Sequence, residues 1–153
     1  MHVYSQQGLE LTKRFEGLRR EAYKDAGGIW TIGYGHTGRE VHAGVEWTVE
    51  QAEEALRSDI AGSVAFVNKV VRQPLQQCQF DALVDFCFNC GAGNLESSTL
   101  LRKVNAGDMQ GAADEFGLWV HDADGEPLPG LIARRKAEAQ RFLGDPEIEE
   151  TVE

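Results

Sequence analysis

The amino-acid sequence predicts an α+β fold, in which a long helix joins a small N-terminal β-hairpin lobe to a larger helical lobe. Residues 22–24 and 29–35 are rich in β-forming side chains, and segment 25–28 between them, Asp-Ala-Gly-Gly, has the composition of a turn. The stretch from Thr48 to Gln51 matches a helix capping box, so a long helix is predicted from there to about Val71.

Helical patterns occupy most of the remaining chain. Ser5 is a predicted N-cap for a first helix that ends near Glu16, because Gly17 follows and glycine commonly terminates helices. Pro74 separates the long helix from the next one. Further helices are predicted over residues 76–89, 98–105, 109–119 and 131–143, with a glycine-rich break at 91–94.

Length and charge limit the classes of function. The chain has 153 residues, which fits one domain, predicted over residues 1–144, followed by an acidic and disordered tail at 145–153. The net charge of −10 argues against a nucleic-acid partner. No apolar run is long enough to span a membrane, and residues 1–6 show no signal peptide. We therefore expect a monomer that does not span a membrane.

The cysteines and one acidic loop raise the question of a metal. Cys87 and Cys90 form a C-x-x-C pair, but no second pair or suitably spaced histidines accompany it, so small buried side chains are the favoured interpretation. Asp122-x-Asp124-Gly125 matches only the start of a calcium loop and is interpreted as a polar turn. No metal and no organic cofactor is predicted.

Two carboxyl groups stand in the unlike environments that glycoside hydrolysis requires. Glu16 lies at a predicted helix C-terminus beside Phe15 and Leu18, where the helix dipole and apolar neighbours favour the protonated acid. Asp25 lies in the glycine-rich turn, where its charge is hydrated. Glu16 is therefore the candidate general acid, and Asp25 is the candidate carboxylate for the opposite face of the sugar.

The hairpin adds a hydroxyl and two glycines to these carboxyl groups. A three-residue loop at 26–28 makes Asp25 and Thr31 diagonal neighbours on one face, where they can hold a water between them. Gly33 and Gly35 lack side chains, so a bulky substrate can approach the strand closely. Taken singly, each of these residues has an ordinary structural interpretation. Their order and context favour catalysis.

The sequence resembles the phage-type lysozymes, glycoside hydrolase family 24, over about residues 8–143. The signature consists of Glu16, eight residues, Asp25, five residues and Thr31. It lies within Arg-Phe-Glu-Gly-Leu-Arg at 14–19, Ala-Tyr-Lys-Asp at 22–25 and Trp-Thr-Ile-Gly-Tyr-Gly-His-Thr at 30–37. Further matches are Gln-Phe-Asp-Ala-Leu at 79–83, Ser-Thr-Leu at 98–100 and Pro-Gly-Leu at 129–131 with Arg134-Arg135.

This resemblance implies a muramidase that cleaves the β-1,4 bond after N-acetylmuramic acid in bacterial peptidoglycan and thereby lyses the host cell wall. It also implies that the protein is made in the host bacterial cytoplasm and acts on the wall after release. It implies an active-site cleft between the lobes and an inverting mechanism, with Glu16 as the acid and with Asp25 and Thr31 positioning the attacking water. Phe88, Asn89 and Thr99 match positions that line the substrate cleft, although a core position fits Phe88 equally well. His36 and Asp59 are expected to form a structural ion pair.

Two other functions stay open at this point. A lytic transglycosylase uses one catalytic glutamate and makes an anhydro end without water, which leaves Asp25 and Thr31 unexplained. A non-catalytic peptidoglycan-binding module on the same fold has no need of all three residues. The acidic chain also lacks the long-range attraction to an anionic wall that a basic enzyme has.

Overall fold

A computed structural model describes residues 1–144, and the predicted disordered tail lies outside the described residues. The fold is α+β, as the sequence predicts. The chain divides into two compact units. Residues 12–62 form a unit that carries the sheet, which we call the sheet unit. Residues 1–11 and the described residues from Ser63 onward form the helical unit.

Each helix and strand has the following bounds. The elements of the first part of the chain are α1 (Gln6–Glu16), β1 (Arg19–Lys24), β2 (Trp30–Gly33), β3 (His36–Thr37) and α2 (Val49–Val70). They are followed by α3 (Gln77–Cys90), α4 (Ala92–Ser97), α5 (Thr99–Asn105), α6 (Met109–Glu115), a 3₁₀ turn (Phe116–Leu118) and α7 (Pro129–Phe142). No helix within residues 1–144 combines the length and apolar character that a membrane crossing requires.

The sheet of the sheet unit is antiparallel, in the order β1-β2-β3. The predicted hairpin is confirmed: Tyr23 pairs with Thr31 and Lys24 with Trp30. The Asp25 amide also donates to the Ile29 carbonyl, which leaves the predicted three-residue loop at 26–28. The third strand was not predicted, because two residues give no alternating pattern. Ile32 is fully buried and is the centre of this small core.

The long helix α2 begins where the capping box predicts. The Thr48 amide donates to Gln51 Oε1 at 2.8 Å, and the Gln51 amide donates to Thr48 Oγ1 at 3.1 Å. These reciprocal bonds satisfy two of the backbone groups that a helix start leaves unpaired. At the other end, Asn105 Nδ2 donates to the Val70 carbonyl at 3.1 Å and satisfies one acceptor.

Buried aromatic side chains and ion pairs hold the helical unit together. Phe86 packs edge-on against both Phe116 and Trp119, with ring centroids about 5.5 Å apart. Helix α3 is joined to α7 by a bidentate pair in which Asp85 accepts two bonds of 2.9 Å from Arg134. Both side chains are buried, and pairing offsets the cost of removing their charges from water.

Two helical segments differ from the sequence prediction. Gly91 does end α3, with a φ of +99°, but the predicted glycine-rich break is a single residue because α4 begins at Ala92. The fully buried side chain of Leu95 anchors α4 and outweighs the low helix propensity of Gly93 and Asn94. The predicted helix at 109–119 is α-helical only to Glu115 and continues as the 3₁₀ turn.

The acidic loop is the turn that the sequence predicts, and burial is confirmed for Cys87 but only in part for Cys90. Cys78 and Cys87 are buried, while Cys90 is half-buried and its Sγ accepts a bond from Arg135. Burial raises the pKa of both the Cys87 and the Cys90 thiol, which disfavours the reactive thiolate. Asp122 Oδ1 accepts bonds from the backbone amides at 124 and 126, as expected of a turn.

The predicted pair between His36 and Asp59 ties the sheet to α2 within the sheet unit. His36 Nδ1 lies 2.8 Å from Asp59 Oδ2, and Nε2 lies 2.6 Å from Glu40 Oε1. Partial burial lowers the pKa of His36, but hydrogen bonds to Glu40 and Asp59 outweigh this effect, so the pKa is raised above its usual value. The Glu40 carboxyl has a lowered pKa through the same histidine.

We expect Asp59→Asn to destabilise the protein most at mildly acidic pH. The stability that His36 contributes is fully present below its unfolded pKa of about 6.5 and is lost as pH rises through its raised folded pKa. The contribution of Glu40 is present above about 4.5 and is lost as pH falls through its lowered folded pKa. Thermal denaturation should show a loss of about 1–3 °C near pH 5.5 and less at pH 9.

The matched control for this experiment is Glu54→Gln, which removes a carboxylate from the same helix. The Glu54 side chain makes no ion pair or hydrogen bond with the described residues, so removal of its charge should change the melting temperature little at either pH. Equal destabilisation by Asp59→Asn at every pH would show that His36 and Asp59 do not act as an ion pair.

Candidate active site

Glu16 is the last residue of α1, as the sequence predicts. The helix ends there because Gly17 adopts a φ of +74°, and the Gly17 amide closes the last turn by donating to the Lys13 carbonyl at 3.0 Å. The Glu16 side chain is half-buried. A carboxyl group in this position is partly shielded from water and remains accessible, as a proton donor must be.

Gly35 lies against the Glu16 carboxyl group. A Cβ atom on Gly35 would stand 3.0 Å from Glu16 Oε1, which is closer than side chains ordinarily approach. The residue is exposed, and its φ of +85° is a conformation that glycine adopts without strain. The missing side chain therefore leaves open the space in front of Glu16.

The Asp25 carboxylate organises the loop between β1 and β2. Its Oδ1 accepts hydrogen bonds from the Gly27 amide at 2.8 Å and from the Ile29 amide at 2.9 Å. The Asp25 amide donates to the Ile29 carbonyl and the Gly28 amide donates to the Asp25 carbonyl, each at 2.9 Å. The side chain is exposed, and Oδ2 accepts no bond from residues 1–144. One oxygen builds the loop, and the other faces solvent.

Thr31 lies on the same face of the hairpin as Asp25. Asp25 stands opposite Ile29 and Tyr23 opposite Thr31, so Asp25 and Thr31 are the diagonal neighbours that residue parity predicts. The Thr31 side chain is 4% exposed, and its Oγ1 donates to the Ile29 carbonyl at 2.9 Å. Since the hydroxyl hydrogen is engaged, the oxygen is left to accept a bond from a water.

The structure gives Gly33 a reason to be glycine that differs from the predicted one. A Cβ atom on Gly33 would stand 3.1 Å from the Trp47 ring and 3.3 Å from the Ala52 Cβ, and its φ is +69°. The space at Gly33 is therefore filled by protein, since the residue is buried. Its predicted contact with substrate gains no support from this position.

The three other predicted substrate-binding residues lie in the helical unit. Phe88 is half-buried on α3, and the next residue, Asn89, is exposed and accepts a bond from Arg135 at 2.6 Å. Thr99 is exposed at the start of α5, and its Oγ1 accepts a bond of 2.6 Å from Arg102. Sequence reasoning missed the contact with Arg135, although the Arg134-Arg135 doublet belongs to the matched family pattern.

Comparison with known proteins identifies the family. The family model described as phage lysozyme matches residues 13–138. The chain belongs to the phage lysozyme family. The endolysin of Acyrthosiphon pisum secondary endosymbiont phage 1 is 47% identical over 145 residues, which cover 93% of this chain and 98% of that protein.

Solved structures agree with this assignment. The muramidase domain of SpmX from Asticaccaulis excentricus has a TM-score of 0.86 and 43% identity, covering 94% of this chain and 99% of that one. A variant of P22 lysozyme has a TM-score of 0.88 and 38% identity, covering 94% and 100%.

Family membership confirms the predicted class of reaction. The chain is a glycoside hydrolase of the muramidase type, and its substrate is peptidoglycan, the polymer of the bacterial cell wall. Glu16, Asp25 and Thr31 all lie within the matched range and within the sheet unit.

We expect Gly35→Ala to reduce turnover by about tenfold or more, because the added methyl group displaces the Glu16 carboxyl group from its position. Gly44→Ala is the matched control, since Gly44 has a φ of +88° and nothing within 4 Å of its Cβ position. Both variants carry the backbone strain of about 1 kcal/mol. Only Gly35→Ala should lower kcat in a cell-wall lysis assay, and equal kcat values would contradict the steric role of Gly35.

Proposed function

We propose that this muramidase hydrolyses the β-1,4 bond between N-acetylmuramic acid and N-acetylglucosamine with inversion at the anomeric carbon. Glu16 is the general acid, and Asp25 and Thr31 hold the attacking water. The observation that carries this proposal is that the two oxygens of the Asp25 carboxylate have different partners. Because both loop amides bind Oδ1, the solvent-facing Oδ2 is left to bind a water beside Thr31.

Glu16 acts on the leaving group. As the bond between the anomeric carbon and the bridging oxygen breaks, Glu16 transfers its proton to that oxygen, so a neutral hydroxyl departs instead of an alkoxide. General acid catalysis of this kind typically contributes about 10²–10⁴-fold to the rate.

The attacking water is oriented by two acceptors. One of its hydrogens is donated to Asp25 Oδ2 and the other to Thr31 Oγ1, whose own hydrogen is engaged with the Ile29 carbonyl. With both hydrogens held, a lone pair of the water is free for the anomeric carbon. As the new bond forms, Asp25 takes a proton from the water. Asp25 then releases this proton to solvent, and Glu16 takes one from solvent, which restores the starting enzyme.

We also propose that Phe88, Asn89, Thr99 and Gly35 contact the substrate. The enzyme acts as a monomer without a nucleic-acid partner, in keeping with a net charge of −10 that repels phosphate backbones. Its synthesis in the bacterial cytoplasm before release to the wall remains a prediction.

Proton NMR of the products tests the mechanism directly. Inversion of a β-linked substrate predicts that the α-anomer appears first at the new N-acetylmuramic acid reducing end, before mutarotation equilibrates the two forms. Initial formation of the β-anomer would contradict inversion. A 1,6-anhydro product would instead identify a lytic transglycosylase, in which no water attacks.

Glu16→Gln tests the assignment of the general acid, and Glu10→Gln is its control. It should melt within about 1–2 °C of the wild type and lose about 10²–10⁴-fold in turnover, since glutamine has no proton to give. Glu10→Gln alters an exposed carboxylate on the same helix, hydrogen-bonded to Gln6, and should retain activity. Near wild-type turnover of Glu16→Gln would refute the assignment of the acid.

A further inference from the structure

The guanidinium of Arg135 is held rigidly inside the helical unit. The side chain, on α7, is 1% exposed. Its Nε lies 2.7 Å from Glu138 Oε1, and its Nη2 donates to Glu138 Oε2 at 3.1 Å. Its Nη1 donates to Cys90 Sγ, and the group also lies 5.2 Å from the centre of the Phe86 ring. These contacts leave the planar group one orientation.

Arg135 fixes the orientation of the Asn89 side-chain amide. Arg135 Nη2 lies 2.6 Å from the Asn89 side chain. Because a guanidinium has only donors, the atom facing it must be the amide oxygen, Oδ1. The amide nitrogen, Nδ2, therefore points away from Arg135. Asn89 is exposed, and Nδ2 donates to none of residues 1–144.

A cavity of about 390 Å³ adjoins this side chain, entirely within the helical unit. Its lining combines aromatic, polar and charged side chains, including Asn89, Trp119, His121, Asp122, Leu131 and Arg135. The volume accommodates a group of a few heavy atoms or one amino-acid residue. A donor held at the edge of such a cavity is suited to an acceptor oxygen on a ligand.

We propose that Arg135 is a positioning residue, which holds Asn89 so that Nδ2 donates a hydrogen bond to an amide carbonyl of the substrate in this cavity. The inference rests on the proposed function and deepens it by naming the group that is recognised. Peptidoglycan carries amide carbonyls on the N-acetyl groups of its sugars and in its stem peptides. Either source presents the same acceptor.

The test must avoid leaving a buried charge without a partner. Replacing Arg135 alone would leave the fully buried Glu138 with only the longer pair to Arg134, at 3.9 Å. The double variant Arg135→Gln with Glu138→Gln replaces the charged pair by two neutral amides. Since a glutamine amide offers both a donor and an acceptor, it no longer dictates which Asn89 atom faces outward.

Asn89→Asp tests the proposed hydrogen-bond donor itself. It keeps an oxygen for Arg135 and removes the Nδ2 donor. Gln140→Glu is its charge control, because it adds the same negative charge at an exposed position of the helical unit that does not line the cavity. Lys136→Gln, next to Arg135 and exposed, controls for a general effect of charge on α7.

Steady-state kinetics on soluble peptidoglycan fragments give the decisive measurement. The double variant and Asn89→Asp should each raise KM about 3–10-fold, the cost of one hydrogen bond, with a much smaller change in kcat. Both controls should keep KM within about twofold, which one lost hydrogen bond would exceed. An unchanged KM in either test variant, or an equal rise of KM in Gln140→Glu, would overturn the proposal. A fall in kcat together with a lower melting temperature in the test variants would also overturn it, because this would show a general loss of structure and not a lost substrate contact.

Two substrates separate the possible sources of the carbonyl. A rise in KM on both peptide-free glycan chains and peptide-bearing fragments identifies the N-acetyl group, and a rise only on peptide-bearing fragments identifies the stem peptide. The anomeric configuration of the wild-type product tests the proposed function independently, so its failure is distinguishable from failure of the role of Arg135.

Discussion

The two hydrogen bonds that Asp25 Oδ1 accepts from the Gly27 and Ile29 amides are the interaction on which the catalytic region depends. They close the three-residue loop and thereby set the register that brings Thr31 diagonally opposite Asp25. They also leave the other carboxylate oxygen, Oδ2, as the one that binds water in the proposed mechanism. The same side chain thus makes the structural bonds through one oxygen, and the mechanism that we propose assigns the water to the other.

Positive-φ glycines leave the space that the site requires. Gly17 ends α1 at Glu16, and Gly35 leaves room beside the Glu16 carboxyl group. Gly33 admits the Trp47 ring, which also lies 5.4 Å from the ring of His36, the residue that ties the sheet to α2. The glycines are therefore not interchangeable, since Gly17 ends a helix, Gly35 leaves room for the Glu16 carboxyl group and Gly33 leaves room for the Trp47 ring.

Local chemistry explains what the sequence predicts correctly, and long-range contacts explain the rest. The helix end at Glu16, the hairpin loop at Asp25 and the capping box of α2 each depend on a few consecutive residues, so they follow from pattern and turn chemistry. The packing of Trp47 on Gly33 joins residues distant in sequence, and the bond from Arg135 to Asn89 spans 46 positions. Neither leaves a periodic signal. The catalytic roles came from spacing and resemblance together, and they stay proposals until measured.

The central claim is that Asp25 has one structural and one catalytic oxygen, and two substitutions separate them. Asp25→Asn keeps an oxygen for the two loop amides but replaces the acceptor Oδ2 by an amide nitrogen, which is a donor. Asp25→Ala removes both oxygens. Melting temperature and turnover should be measured together for each variant. We expect Asp25→Asn to melt close to the wild type and lose about 10²-fold or more in turnover. Asp25→Ala should lose similar activity and about 1–2 kcal/mol of stability. Near wild-type turnover of Asp25→Asn would contradict a catalytic role for Oδ2. A melting temperature as low as that of Asp25→Ala would contradict the structural role of the retained oxygen.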